Sequence, residues 1–168
     1  MHISLSFVAA ALFSLSFQGK DGNPEFAYWA ELKTGSWVKL KMEMETQGVK
    51  VLVQSTHTLL EAGKDKCVVE QKTKVTANGM EQPEQTEKEE VLRDKDKDPI
   101  KIEKEGDEEI EVAGKKLKCH WIEGTQKENT KVKFWTTKEI PGGVAKAEVS
   151  GGELPGVMKI FAVGWEKK

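Results

Sequence analysis

Arginine is almost missing from this chain: Arg93 is the only one among 26 basic residues in a length of 168. Arginine is the usual choice for gripping phosphate or carboxylate with two parallel hydrogen bonds, so an anion-clamping site is not expected. An excess of positive charge is missing too. The 28 acidic residues outweigh the basic ones for a formal net charge of −2, which argues against nucleic acid as a partner. Catalytic signatures are also absent: there is no Gly-x-Ser-x-Gly elbow, no paired-histidine motif and no glycine-rich loop opening a helix. Pro141-Gly142-Gly143 falls between strand patterns and reads as a hairpin turn. A non-enzymatic protein without a cofactor is the expectation. Cysteine is limited to Cys67 and Cys119, with no short-range pairing of the kind a zinc site uses.

Long apolar runs are confined to Ile3–Phe17, which carries no charge and gives way abruptly to Lys20-Asp21-Gly22-Asn23-Pro24. The run is short for a bilayer span and has the length of a signal-peptide core. Ser14 and Ser16 suit a cleavage site, giving a signal peptide over 1–16 and a single β-rich domain over 17–168. Met1-His2 supplies no basic residue ahead of the core, and a buried N-terminal helix or strand is the competing reading. No cysteine follows the run, so a lipid anchor is not indicated. The mature chain is expected to be extracytoplasmic, periplasmic or secreted, without a transmembrane segment.

Only one segment has helical character. Asn23-Pro24-Glu25 combines a capping side chain, proline at the first position and an acid near the positive end. Phe26, Trp29 and Leu32 follow at three-residue steps, and Gly35 supplies a stop, placing the helix over about Glu25 to Thr34. Everything else alternates with period two. Val38, Leu40, Met42 and Met44 interleave with charged neighbours, Val49, Val51 and Val53 with Lys50 and Gln54, Ile100 and Ile102 with Lys101 and Glu103, and Leu117, Cys119 and Trp121 with Lys116, Lys118 and His120. Turn residues recur at Gly48, Gly63, Asn78-Gly79, Gly106, Gly114, Gly124, Pro141-Gly142-Gly143 and Gly151-Gly152. The pattern predicts a mainly β fold: a curved antiparallel meander of about eight or nine strands, half-barrel or barrel, covered by the one short N-terminal helix. The charged stretch from Glu81 to Asp98 reads as a solvated edge hairpin or a mobile loop.

Two strand-turn motifs carry a resemblance. Glu111-Val112-Ala113-Gly114-Lys115-Lys116-Leu117-Lys118-Cys119 and Phe134-Trp135-Thr136-Thr137-Lys138-Glu139-Ile140-Pro141-Gly142-Gly143-Val144 resemble uncharacterised secreted bacterial β-rich proteins. These in turn are similar to the LolA-like group of lipoprotein-carrier folds. The resemblance implies an open β half-barrel with helical cover, and a lipid or other apolar ligand carried on the concave face.

Candidate sites follow from the pattern. Phe26, Trp29 and Leu32 form the expected cover, with Trp121 on the concave face beneath it. Trp37 and Trp135 share the parity of lysines and suggest an exposed protein-partner surface. Asp94, Asp96 and Asp98, with Glu105, match calcium-loop spacing, but Pro99 stands where the loop needs glycine. A solvated turn is the simpler reading. His57, Cys67 and Cys119 share the apolar parity of their strands without metal-ligand spacing, so a core histidine and two thiols are expected rather than a metal. An exported chain with an even cysteine count leaves a Cys67–Cys119 disulfide open. Two classes of function remain: a binder of a lipid or other apolar ligand, and a packed structural or interaction domain of the cell envelope without a ligand.

Overall fold

The structure, a computed structural model, describes residues 23–46, 48–94, 100–126, 129–152 and 156–168. The expected signal segment, and Asp96, Asp98 and Pro99 of the acidic run, lie outside them.

Helix α1 (Pro24–Ala30) begins as the sequence implies. Asn23 is the N-cap, its side chain accepting from the Glu25 N–H at 3.2 Å. The same residue fastens the helix to the sheet, because its backbone N–H and side-chain amide donate to the carbonyls of Arg93 and Leu92 at 3.0 and 2.9 Å. The helix stops four residues earlier than Thr34. Gly35 N–H donates to Leu59 O and Leu59 N–H to Ser36 O, so pairing with a strand claims the backbone that a further helical turn would need.

Among the described residues, ten antiparallel strands form one open, curved sheet: β1 (Trp37–Thr46), β2 (Val49–Ala62), β3 (Lys66–Ala77), β4 (Met80–Glu81), β5 (Gln85–Leu92), β6 (Lys101–Val112), β7 (Lys115–Thr125), β8 (Lys131–Thr136), β9 (Val144–Ser150) and β10 (Val157–Glu166). The charged stretch after Glu81 is thus an edge: β4 and β5 pair in succession along β3. The meander is not continuous, however. The order is β4-β3-β2-β1-β10-β9-β8-β7-β6, so the chain leaves one edge after β5 and resumes at the other with β6.

That jump explains the curvature. A flat sheet would put eight inter-strand gaps, roughly 38 Å, between β5 and β6. The nine residue steps from Leu92 to Lys101 reach roughly 32 Å at full extension. The sheet must curl for the connection to close.

Pairing register assigns the faces. Val69 pairs with Leu59, Val53 with Met42, Met42 with Ile160, Ile160 with Ala147, Ala147 with Phe134 and Phe134 with Ile122. These residues line the concave face, where Met42, Met44, Val51, Val53, Ile122, Phe134 and Met158 form the central core. Burial of this apolar surface is the main drive for folding. A second layer lies on the outer face. The β6–β7 hairpin folds back over β8–β10, burying Val112, Leu117 and Cys119 against Trp135, Ala145 and Ala162. A bulge at Trp135/Thr136 helps turn Ala145 toward this layer. Along β7 the buried parity therefore switches, from Leu117 and Cys119 to Ile122 and Gly124.

Candidate functional site

α1 lies across one mouth of the curl, packed on β2, β3 and β5. Phe26 is 7% exposed and Trp29 1%. Leu32 follows the helix in a turn and packs partly buried on the same cluster. On the far side, α1 meets the β8–β9 turn: Trp29 stands against Gly142 and Tyr28 against Gly143. Both glycines have positive φ, 74° and 81°, and both leave their Cβ space to an aromatic ring. The cover is thus fixed at its N-cap, at this turn and through Gly35.

Beneath it lies a cavity of about 80 Å³. Trp29, Val38, Leu40, Phe134, Val144 and Ile160 give it apolar walls, while Glu25, His57, Gln71 and Glu89 bring polar groups. His57 and Gln71 reach it from β2 and β3, at inward positions that elsewhere hold valine, with Ser55 and Thr73 beside them on the same face but outside the lining; Glu25 and Glu89 come from α1 and β5. Ser55 Oγ and His57 Nε2 are 3.0 Å apart, and Gln71 Nε2 donates to Glu89 Oε2. Gln71 Oε1 and Thr73 Oγ1 are buried without a partner among the described residues, a costly condition for an acceptor cut off from water. Burial holds the His57 imidazole down at about 4, so it is neutral at ordinary pH. Ser55 and His57 form the first pair of a nucleophile-base arrangement, but among the described residues no hydrogen-bonded third group orients the ring.

Several sequence expectations need correcting. Trp121 is not on the concave face: it pairs with Trp135 on the outer face, opposite to its neighbour Ile122. Trp135 is not exposed. It is 5% accessible, its Nε1–H donates to Glu108 on β6, and the Lys133 and Lys146 ammoniums sit 4.9 and 4.4 Å from its ring centroid. The β6–β7 hairpin covers it, which alternation within one strand cannot foretell. Trp37 stays half-buried, its Nε1–H donating to Glu166 Oε2 at 3.1 Å. Cys67 and Cys119 are buried and free. They lie on opposite faces of strands separated by five others, so the disulfide left open by the count is not made. His57, Cys67 and Cys119 do not converge either, and among the described residues no group of three or more His, Cys, Asp or Glu is placed to hold a metal ion. Among the same residues no helix is long and apolar enough to cross a membrane.

Ser55, Gln71 and Glu89 were not singled out by the sequence, and Glu25 only as the acid at the helix start. The available signal was a polar residue at an inward position of a strand, as in Val51, Val53, Ser55, His57, Leu59. No family model and no curated protein matches the chain.

Proposed function

We propose that this protein is a non-enzymatic, extracytoplasmic binding protein that takes a small ligand in the cavity beneath α1. The observation that carries the reading is the polar lining. A concave face serving only as packed core would be apolar where Ser55, His57, Gln71 and Thr73 stand, and would not strand two buried acceptors. The cavity combines enclosing apolar walls with a few converging polar groups, the usual make-up of a ligand site.

Size and polarity narrow the ligand. A volume of about 80 Å³ equals roughly three waters of the liquid and falls well short of the roughly 300 Å³ at which drug-sized sites begin. An acyl chain of the kind implied by the lipoprotein-carrier resemblance would need α1 to lift from its three attachments. The reading therefore favours a small, partly polar molecule over a lipid. Native mass spectrometry of protein purified from its own host tests this. A co-purified species of low mass is the expected result. Co-purified lipid would restore the carrier reading, and a bare protein that also takes up no small molecule in titration would leave a packed domain.

A further inference from the structure

A groove of about 580 Å³ lies on the outer face of the sheet, away from the cavity beneath α1. Ile110 and Val112 of β6 form one wall, and Trp135, Phe161 and Val163 give it an apolar floor from β8 and β10. No residue of β7 lines it, so it opens on the side of β6 that β7 leaves free. Among the described residues β6 ends the sheet and pairs with β7 alone. A strand paired on one side presents a row of backbone donors and acceptors along the other. The floor also keeps apolar surface in water: Val163 is 37% exposed, and Phe161 and Ile110 are half-buried.

The side chains of β6 say what would lie along it. Ile110 and Val112 turn toward the outer layer, while Asp107, Glu109 and Glu111 alternate with them on the exposed side. From Glu105 to Val112 the strand carries five carboxylates and no basic residue. His120 and Lys116 on β7 answer Asp107 and Glu109 at 3.0 and 3.8 Å. Glu111 is exposed and forms no ion pair among the described residues. A strand laid against β6 shares its alternation. Every second side chain would cover Phe161 and Val163, and those between would stand beside carboxylates. Two copies of β6 would set acid against acid, an unfavourable pairing.

We propose that β6 is a docking edge for an extended segment of a protein partner, in which apolar residues alternate with lysine or arginine. The segment adds to the sheet as a further strand, with main-chain bonds supplying affinity and alternate side chains supplying selectivity. An acidic segment is repelled. A basic segment without the alternation cannot pair its backbone and place its apolar side chains on the floor together. The proposal is independent of the cavity beneath α1 and of what that cavity holds.

The test is an NMR titration of the isotopically labelled protein with three synthetic peptides: Lys-Val-Lys-Val-Lys-Val-Lys, its counterpart with Glu in place of Lys, and Lys-Lys-Lys-Lys-Val-Val-Val. The reporters are the chemical shifts and hydrogen-exchange rates of the β6 backbone amides. The alternating basic peptide is expected to shift them saturably, to slow their exchange, and to bind about tenfold tighter than the block peptide. The acidic peptide should give no saturable shift. Val163→Gln, on the exposed floor, should weaken the alternating peptide by about tenfold without lowering the melting temperature. Should that variant not fold, Glu111→Lys serves instead, with the same weakening expected. A block peptide binding as tightly as the alternating one would reduce the contact to charge attraction and overturn the docked strand. So would slowed exchange at β5 rather than β6, or saturation by none of the three. A protein that sediments as a dimer, its β6 amides protected before any peptide is added, would give the edge to a second copy of the chain and overturn the basic partner.

Discussion

A side chain on Gly143 has no room, because the ring of Tyr28 already stands where its Cβ would be. Gly143 also has φ 81°, a conformation that costs an ordinary residue roughly 1–2 kcal/mol. Gly143→Ala should therefore carry both penalties. Gly79→Ala, at φ 77° with open space around its Cβ, should carry the first alone. Urea unfolding of the two variants is expected to put Gly143→Ala below Gly79→Ala by at least about 1 kcal/mol. Equal losses would mean that Tyr28 is not held against this turn.

Trp29 joins the cover to the same turn. Trp29→Ala should cost roughly 3–5 kcal/mol in denaturant unfolding, the range for truncating a large buried ring. It should also raise binding of a hydrophobic dye by enlarging the cavity. An unchanged melting temperature together with unchanged dye binding would show that α1 does not cover the concave face.

His57 makes stability depend on pH. Its folded-state value is lowered from 6.5 to about 4 by burial, so between these values the unfolded chain binds a proton that the folded protein refuses. The contribution is fully present above pH 6.5 and drains away as pH falls toward 4, by about 3 kcal/mol in all. Glu25 and Glu89 face the same cavity, so the comparison is with His57→Gln. The wild-type protein should lose about 2–3 kcal/mol more than the variant between pH 7.5 and 4.5. Parallel pH profiles would contradict the buried neutral imidazole.

Burial also pushes both thiols up, away from the reactive thiolate. Under native conditions without reductant, Cys67 and Cys119 should react with a thiol reagent far more slowly than in denaturant, where two equivalents should appear. No titratable thiol in the unfolded, unreduced chain would mean a disulfide.

Export has its own measurement. If Ile3–Phe17 is a signal core, the intact mass of the protein from its host should correspond to a chain beginning at or just after Phe17. Retained Met1 would contradict it.

The sequence made the sheet legible through local rules. Val38-Leu40-Met42-Met44 and Val49-Val51-Val53 are apolar at every second residue, and each became a strand with that face inward. Asn23-Pro24 placed the helix start to within one residue. What stayed hidden depends on partners distant in the chain. Trp121 and Trp135 were misplaced because the β6–β7 hairpin folds onto the outer face, so that both faces of β8 are covered. The cavity was missed because an inward Ser, Gln or Thr looks like a lapse in alternation until its neighbours are known. Gln71 acquires meaning only once β5 brings Glu89 beside it.

The pairing of β1 with β10 has a consequence for the order in which the molecule is completed. β1 is central, and one of its two neighbours is β10, with Trp37 and Glu166 bridged across 129 residues. During synthesis β1 can pair with β2 at once, but its other side stays bare until β10 has been made. Assembly of the two halves therefore waits on a late, long-range closure, the kind of step that slows folding. A chain ending before Val157 would expose the bare edges of β1 and β9 in the middle of the sheet. Both carry inward apolar residues, Met42 and Met44 on one and Ala147 and Val149 on the other. Such a truncated chain is expected to aggregate rather than to fold as a smaller version of the same protein.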